Sequence, residues 1–109
     1  MTAPRHLSAD MTTWWRSLTR RYRFGPQHLR VLACAAEAWD RKETAREMIA
    51  AAGLTVTNRA GEIKPHPAVA IERDARIAFV RAVRELALAD DDLPADSRPP
   101  RLRGYQGRD

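Results

Sequence analysis

Three histidines, His6, His28 and His66, and one cysteine, Cys34, are the side chains that could bind a transition metal or attack an electrophile. No pair stands at His-x-x-x-His or Glu-x-x-His spacing, so neither a zinc nor a di-metal site is expected. Cys34 lies among Ala33, Ala35 and Ala36 and reads as a small buried hydrophobe rather than a nucleophile. The five glycines are dispersed and form no Gly-x-x-x-x-Gly-Lys-Ser/Thr loop, so nothing in the chain is built to cradle a nucleoside triphosphate. Asp90-Asp91-Asp92 could draw magnesium, but three adjacent carboxylates in a Pro-rich stretch lack an octahedral scaffold and read as a solvated acidic run. No catalytic residue, cofactor site or metal site is expected.

Binding chemistry is more visible. The chain has 109 residues and a formal charge of +5, which favours a polyanionic partner. Its basic residues are arginines except for Lys42 and Lys64, and guanidinium forks suit phosphates and carboxylates, although high genomic GC content gives the same bias. Residues 1–30 hold six arginines and one aspartate, a net +5 equal to the whole excess. Arg16, Arg20, Arg21 and Arg23 crowd together beside Trp14, Trp15, Tyr22 and Phe24, with Arg30 following. Basic residues interleaved with aromatics can grip phosphates and stack against bases. They can equally complement a helix C-terminus while the rings pack a core. Trp14 and Trp15 themselves suit the core or an interface.

The elements that must position these groups are mainly α-helical. Residues 1–10 read as a flexible N-terminal lead, with Asp10, Thr12 and Thr13 as cap candidates for a short helix over 11–22. Gly25-Pro26 breaks that helix and opens a long one over 26–52, closed by Gly53. Leu54 to Thr57 alternates β-branched residues, Asn58 to Gly61 suits a type I turn and Glu62 to Lys64 returns, which predicts a small β-hairpin. Pro67 opens a second long helix that runs to about Leu88. Residues 11–88 therefore form one domain, and 89–109, rich in Pro, Asp and Arg, read as a disordered charged tail. Neither a signal peptide nor a membrane span is legible, and a lone cysteine points to a reducing compartment.

On a helical wheel the last helix groups Ala68, Ile71, Ala75, Ala78, Phe79, Ala82 and Leu86 on one face. Val69, Val80 and Ala87 form a second apolar stripe nearly opposite, with Ile77 and Leu88 further round. One intramolecular neighbour cannot cover both, so either a second chain covers the stripe or it stays wet. A domain this small buries only about 60% of its surface alone, a gap that self-association would close.

The run Ala51-Ala52-Gly53-Leu54-Thr55-Val56, then Gly61-Glu62-Ile63-Lys64-Pro65-His66-Pro67-Ala68, then Leu86-Ala87-Leu88 and Arg98 resembles the small terminase subunit of tailed double-stranded DNA bacteriophages. The resemblance covers Gln27 to Arg98 and leaves the extension with Trp14-Trp15 outside. Two departures stand out: Ala87 replaces the glycine of the family's usual Leu-Gly-Leu, and Ala89 to Asp92 is an acidic insertion before Leu93-Pro94. The resemblance implies a non-enzymatic packaging factor in the cytoplasm of the infected bacterium. Such a protein forms a homo-oligomeric ring, binds double-stranded viral DNA and delivers it to the large terminase subunit, an ATPase and nuclease. On that reading Arg16, Arg20, Arg21, Arg23 and Arg30 contact DNA. Trp14, Trp15, Trp39, Ile71, Phe79, Val80 and Leu86 build the subunit and its oligomer interface.

Two other readings fit the composition. In a dimeric helical transcriptional regulator the first two helices would read a palindrome, although the helix after Gly25-Pro26 is too long for a compact helix-turn-helix. In a protein-binding adaptor the arginines would serve salt bridges. The tail is open in the same way: Asp90 to Asp92 could repel DNA, while Arg98, Arg101, Arg103 and Arg108 could bind it or another protein.

Overall fold

The computed structural model describes residues 2–88, so the expected disordered tail, with its aspartates and arginines, lies outside the described residues. The order is α1 (Ala9–Arg21), α2 (Pro26–Ala52), β1 (Thr55–Thr57), β2 (Ile63–Pro65) and α3 (Pro67–Leu86). The fold is mainly helical, with the small hairpin between the two long helices, as the sequence predicts.

Each boundary has a local cause. Pro26 and Pro67 open α2 and α3 where a missing N–H leaves no bond unmade. His66 caps α3 with its imidazole, Nδ1 accepting from the Ala68 N–H at 2.9 Å. Gly53 ends α2 at φ 87°, a conformation that costs a Cβ-bearing residue strain, and its N–H reaches the Ile49 carbonyl at 2.7 Å. The hairpin is antiparallel, with Thr55 opposite Pro65 and Thr57 opposite Ile63. The Asn58 side chain locks its turn by accepting from the Ala60 and Glu62 N–H groups, both at 2.9 Å, while Gly61 takes φ 81°.

The long helices pack antiparallel along a seam of small side chains. Ala35, Ala38 and Ala45 of α2 and Ala68 and Ala75 of α3 are buried, so the backbones approach closely. On α3 the inward residues follow Ala68, Glu72, Ala75, Phe79, Ala82 and Leu86, an alternating four-and-three spacing that keeps one stripe against a partner helix. Ile71 and Ala78, expected on that face, lie at its margin and are exposed, because Glu72 takes the central place with only 14% of its side chain exposed and its carboxylate bonded to Arg76.

α1 packs across the other end. Met11, Trp15 and Leu18 join Leu7, Leu32 and Ala36 in the core, and Leu32 is fully buried. The segment before α1, expected as part of a flexible 1–10 lead, is tied to α2. Leu7 is buried, His6 Nε2 lies 2.7 Å from Glu37, and Asp40 accepts from the Ser8 N–H at 2.8 Å and the Ser8 hydroxyl at 2.6 Å. Ser8, not Asp10, Thr12 or Thr13, is then the N-cap, its Oγ accepting from the Met11 N–H at 3.1 Å. Cys34 is exposed rather than buried. Its neighbours Ala35 and Ala36 face α3 and α1, and it points to the flank that neither covers.

Two local features tune this frame. Ala87 terminates α3 in the left-handed region, φ 51° and ψ 43°, at the position where the family resemblance places glycine. Glu43 bonds Arg46 and Lys42, which together hold its carboxyl down to about 2, and the Lys42 ammonium lies 4.0 Å from the Trp39 ring centroid. Replacing Ala87 with Gly should raise stability by about 0.5–1 kcal/mol in a denaturant melt, because the left-handed strain disappears. A loss of stability would show that the cap tolerates Cβ at no cost. Since the folded value of Glu43 lies below the free side chain's 4.5, its contribution is complete above that pH and fades as pH falls through about 2. Glu43→Gln should therefore flatten the stability profile between those limits, measured by acid titration of the thermal midpoint.

Candidate nucleic-acid interface

The C-terminal turn of α1 carries Arg20 and Arg21, favourably placed against the helix dipole, and the chain then runs extended through Tyr22 and Arg23 before α2 begins. This corner brings the predicted cluster together. Arg20, Arg21 and Arg23, with Thr19, Tyr22, Phe24 and Leu29, line one surface depression of about 480 Å³. Arg16 stands one turn back on α1, where its carbonyl accepts from Arg20 Nε at 3.5 Å, and Arg30 stands on the first turns of α2. All five arginines are exposed.

The aromatics divide into two sets. Tyr22 and Phe24 lie half-buried in the depression with ring centroids 6.0 Å apart, and the Arg21 guanidinium lies 6.0 Å from the Tyr22 ring. They offer apolar floor between cations, which suits a sugar-phosphate strand. Trp14 and Trp15 point inward instead. Trp15 is 4% exposed, and Trp14 packs on Phe79 with centroids 5.8 Å apart. Neither indole is placed to wedge between bases.

The electrostatics at this corner are one-sided. No Asp or Glu occurs between Asp10 and Glu37, a span containing all five arginines. Among the described residues Arg16, Arg20, Arg23 and Arg30 make no ion pair, whereas elsewhere Arg46, Arg73 and Arg76 are each bonded to a carboxylate. Unneutralised guanidinium groups held on a rigid helical corner produce the positive field that attracts a polyanion.

The residues expected at an oligomer interface separate by burial. Trp15 is in the core, Leu86 is half-buried against it, and Trp14 and Trp39 both pack on Phe79, with Trp39 5.0 Å from it. Ile71 and Val80 are exposed at 44% and 49%. Sequence reasoning passed over the arginines flanking Val80, namely Arg73, Arg81 and Arg84, although their spacing with Ile77 and Val80 puts all five on one side of α3. It also passed over the acidic side of α2, where Asp10, Glu37, Asp40, Glu43 and Glu47 share neighbouring depressions. Among the described residues no group of His, Cys, Asp and Glu is arranged to hold a metal ion.

Residues 12–92 match the family of phage terminase small subunits. The chain belongs to that family. The match starts well before Gln27 and so takes in Trp14, Trp15, Arg16, Arg20, Arg21 and Arg23, which the sequence resemblance alone leaves outside. Neither a curated protein nor a solved structure matches the chain. Membership gives this terminase small subunit a role in phage genome packaging. No described helix is long and apolar enough to cross a membrane.

Because Arg16, Arg23 and Arg30 of this small subunit make no ion pair among the described residues, Arg16→Ala, Arg23→Ala and Arg30→Ala should each leave stability within about 0.5 kcal/mol of the parent. Chemical denaturation checks this. A larger loss would reassign these side chains to the fold.

Proposed function

We propose that this small subunit is the non-catalytic, DNA-engaging component of the packaging machinery. It assembles into a ring, holds double-stranded viral DNA through Arg16, Arg20, Arg21, Arg23 and Arg30, and delivers it to the large terminase subunit. That partner supplies the ATPase and nuclease chemistry, in the cytoplasm of the infected bacterium, and the small subunit needs no cofactor. The observation that carries this reading is the concentration of five exposed arginines, with no intervening carboxylate, on one helical corner. Phosphate contacts of this kind are individually weak, and repeating the corner around a closed assembly multiplies them through effective concentration.

The ring interface is part of the same reading. Ile71 and Val80 can contribute apolar area directly, while Trp14, Trp15, Trp39, Phe79 and Leu86 act by fixing the helices that present it. Replacing Arg20, Arg21 and Arg23 together with Ala should weaken retention of double-stranded DNA and reduce the salt dependence by up to about three phosphate contacts' worth. Fluorescence anisotropy over a salt series reads both effects. An unchanged slope would remove the corner from the DNA site.

A further inference from the structure

The outer edge of α3 differs from the rest of the surface. Opposite the seam, on a wheel of 100° per residue, lie Arg73, Ile77, Val80, Arg81 and Arg84, all exposed, with Ile77 at 43% and Val80 at 49%. Arg73 bonds its neighbour Asp74 at 3.2 Å, whereas Arg81 and Arg84 have no carboxylate partner among the described residues. A pair of bare aliphatic side chains ringed by arginines has the anatomy of an interface centre with a charged rim.

The edge of α2 that faces away from α3 has the opposite charge. Glu37, Asp40 and Glu47 stand along it with Thr44 between them, and Arg41 lies at its margin. Asp40 holds Ser8 and Glu37 holds His6, yet both carboxylates stay at the surface and keep acceptor capacity. The two edges also agree in height. Antiparallel helices rise equally per residue, so positions equidistant from the Trp39–Phe79 contact are level. Arg81 is then level with Glu37, and Arg73 with Ala45, between Thr44 and Glu47.

We propose that the Arg73–Arg84 edge of α3 docks against the Glu37–Glu47 edge of α2 in a second copy of this chain. Ile77 and Val80 lie at the centre, and Arg81 pairs with Glu37 across the contact. A second copy displaced sideways, with its helices in the same orientation, brings these groups together at matching heights. The two surfaces differ, so a bound pair still presents one free α3 edge at one end and one free α2 edge at the other, and addition continues until the chain of contacts closes. None of the five corner arginines is consumed. The proposal rests on the reading that the subunit assembles, and adds which faces meet.

Light scattering on the full chain tests it with three proteins: the parent, Arg81→Glu/Arg84→Glu, and the same variant carrying Glu37→Arg. Circular dichroism establishes that each keeps its helices, which the exposure of these side chains allows. The expected result is a multimeric parent, a fall to single-chain mass in the double variant, and recovery of multimer when Glu37→Arg restores the opposite charge. A double variant that keeps the parent's mass overturns the interface while leaving assembly intact, and if it also loses DNA retention the α3 edge is a DNA surface. Failure of Glu37→Arg to restore the multimer overturns the pairing with α2. A monomeric parent at all concentrations overturns assembly itself, a result distinct from the other two.

Discussion

Phe79 is where the three helices meet. Its ring packs on Trp39 of α2 at 5.0 Å and on Trp14 of α1 at 5.8 Å, both tilted rather than stacked flat. Such contacts are each worth about 0.5–1.5 kcal/mol beyond the area they bury. Their importance here comes from what surrounds them. The α2–α3 seam is mostly alanine, which permits close approach but supplies little area per residue, so the aromatic trio fixes the relative height and rotation of the helices. The level at which the α3 arginines face the α2 carboxylates, and the angle at which α1 presents its basic end, both follow from this junction.

The distribution of charge follows the same frame. Carboxylates gather on the side of α2 that faces away from α3, where Glu37 and Asp40 fasten His6 and Ser8 of the segment before α1. The corner joining α1 to α2 has none. An arginine beside a carboxylate contributes mainly to local order, and an arginine without one keeps its donors for a partner. The corner's exposed arginines stand instead on a helical support, where the burial of Trp15 and Leu18 holds α1 in place.

Much of this was legible in the residues. Pro26, Pro67 and Gly53 announce helix limits because backbone geometry alone dictates them, and Asn58 and Gly61 announce the turn for the same reason. Long-range chemistry was less visible. Ser8 caps α1 because Asp40, far along the chain, holds it in place, and no local pattern distinguishes Ser8 from Asp10 or Thr12 as a cap. Glu72 carries a charge and so falls outside any apolar pattern, yet its stem fills the seam while its carboxylate reaches Arg76, and that displacement puts Ile71 at the surface. The arginine corner could be found from charge alone, since four of its members are close in sequence. Which tryptophans accompany it could not, because the inward turn of Trp14 depends on Phe79, an aromatic ring from the far end of the chain.

The hydrogen bonds between the N-terminal segment and α2 have a kinetic consequence. Pro26 to Leu86 is a continuous stretch in which neighbours in space are joined through one short ribbon, so its closure entropy is modest and its contacts can form early. Docking of α1 and of His6 and Ser8 reaches across that finished hairpin to Glu37, Asp40 and Phe79. The basic corner is therefore completed only when the last-arriving segment has closed. Anything that peels the first residues from α2 loosens the platform holding Arg16, Arg20 and Arg21 while the helical hairpin beneath remains folded, giving the two halves of the molecule separate thresholds for opening.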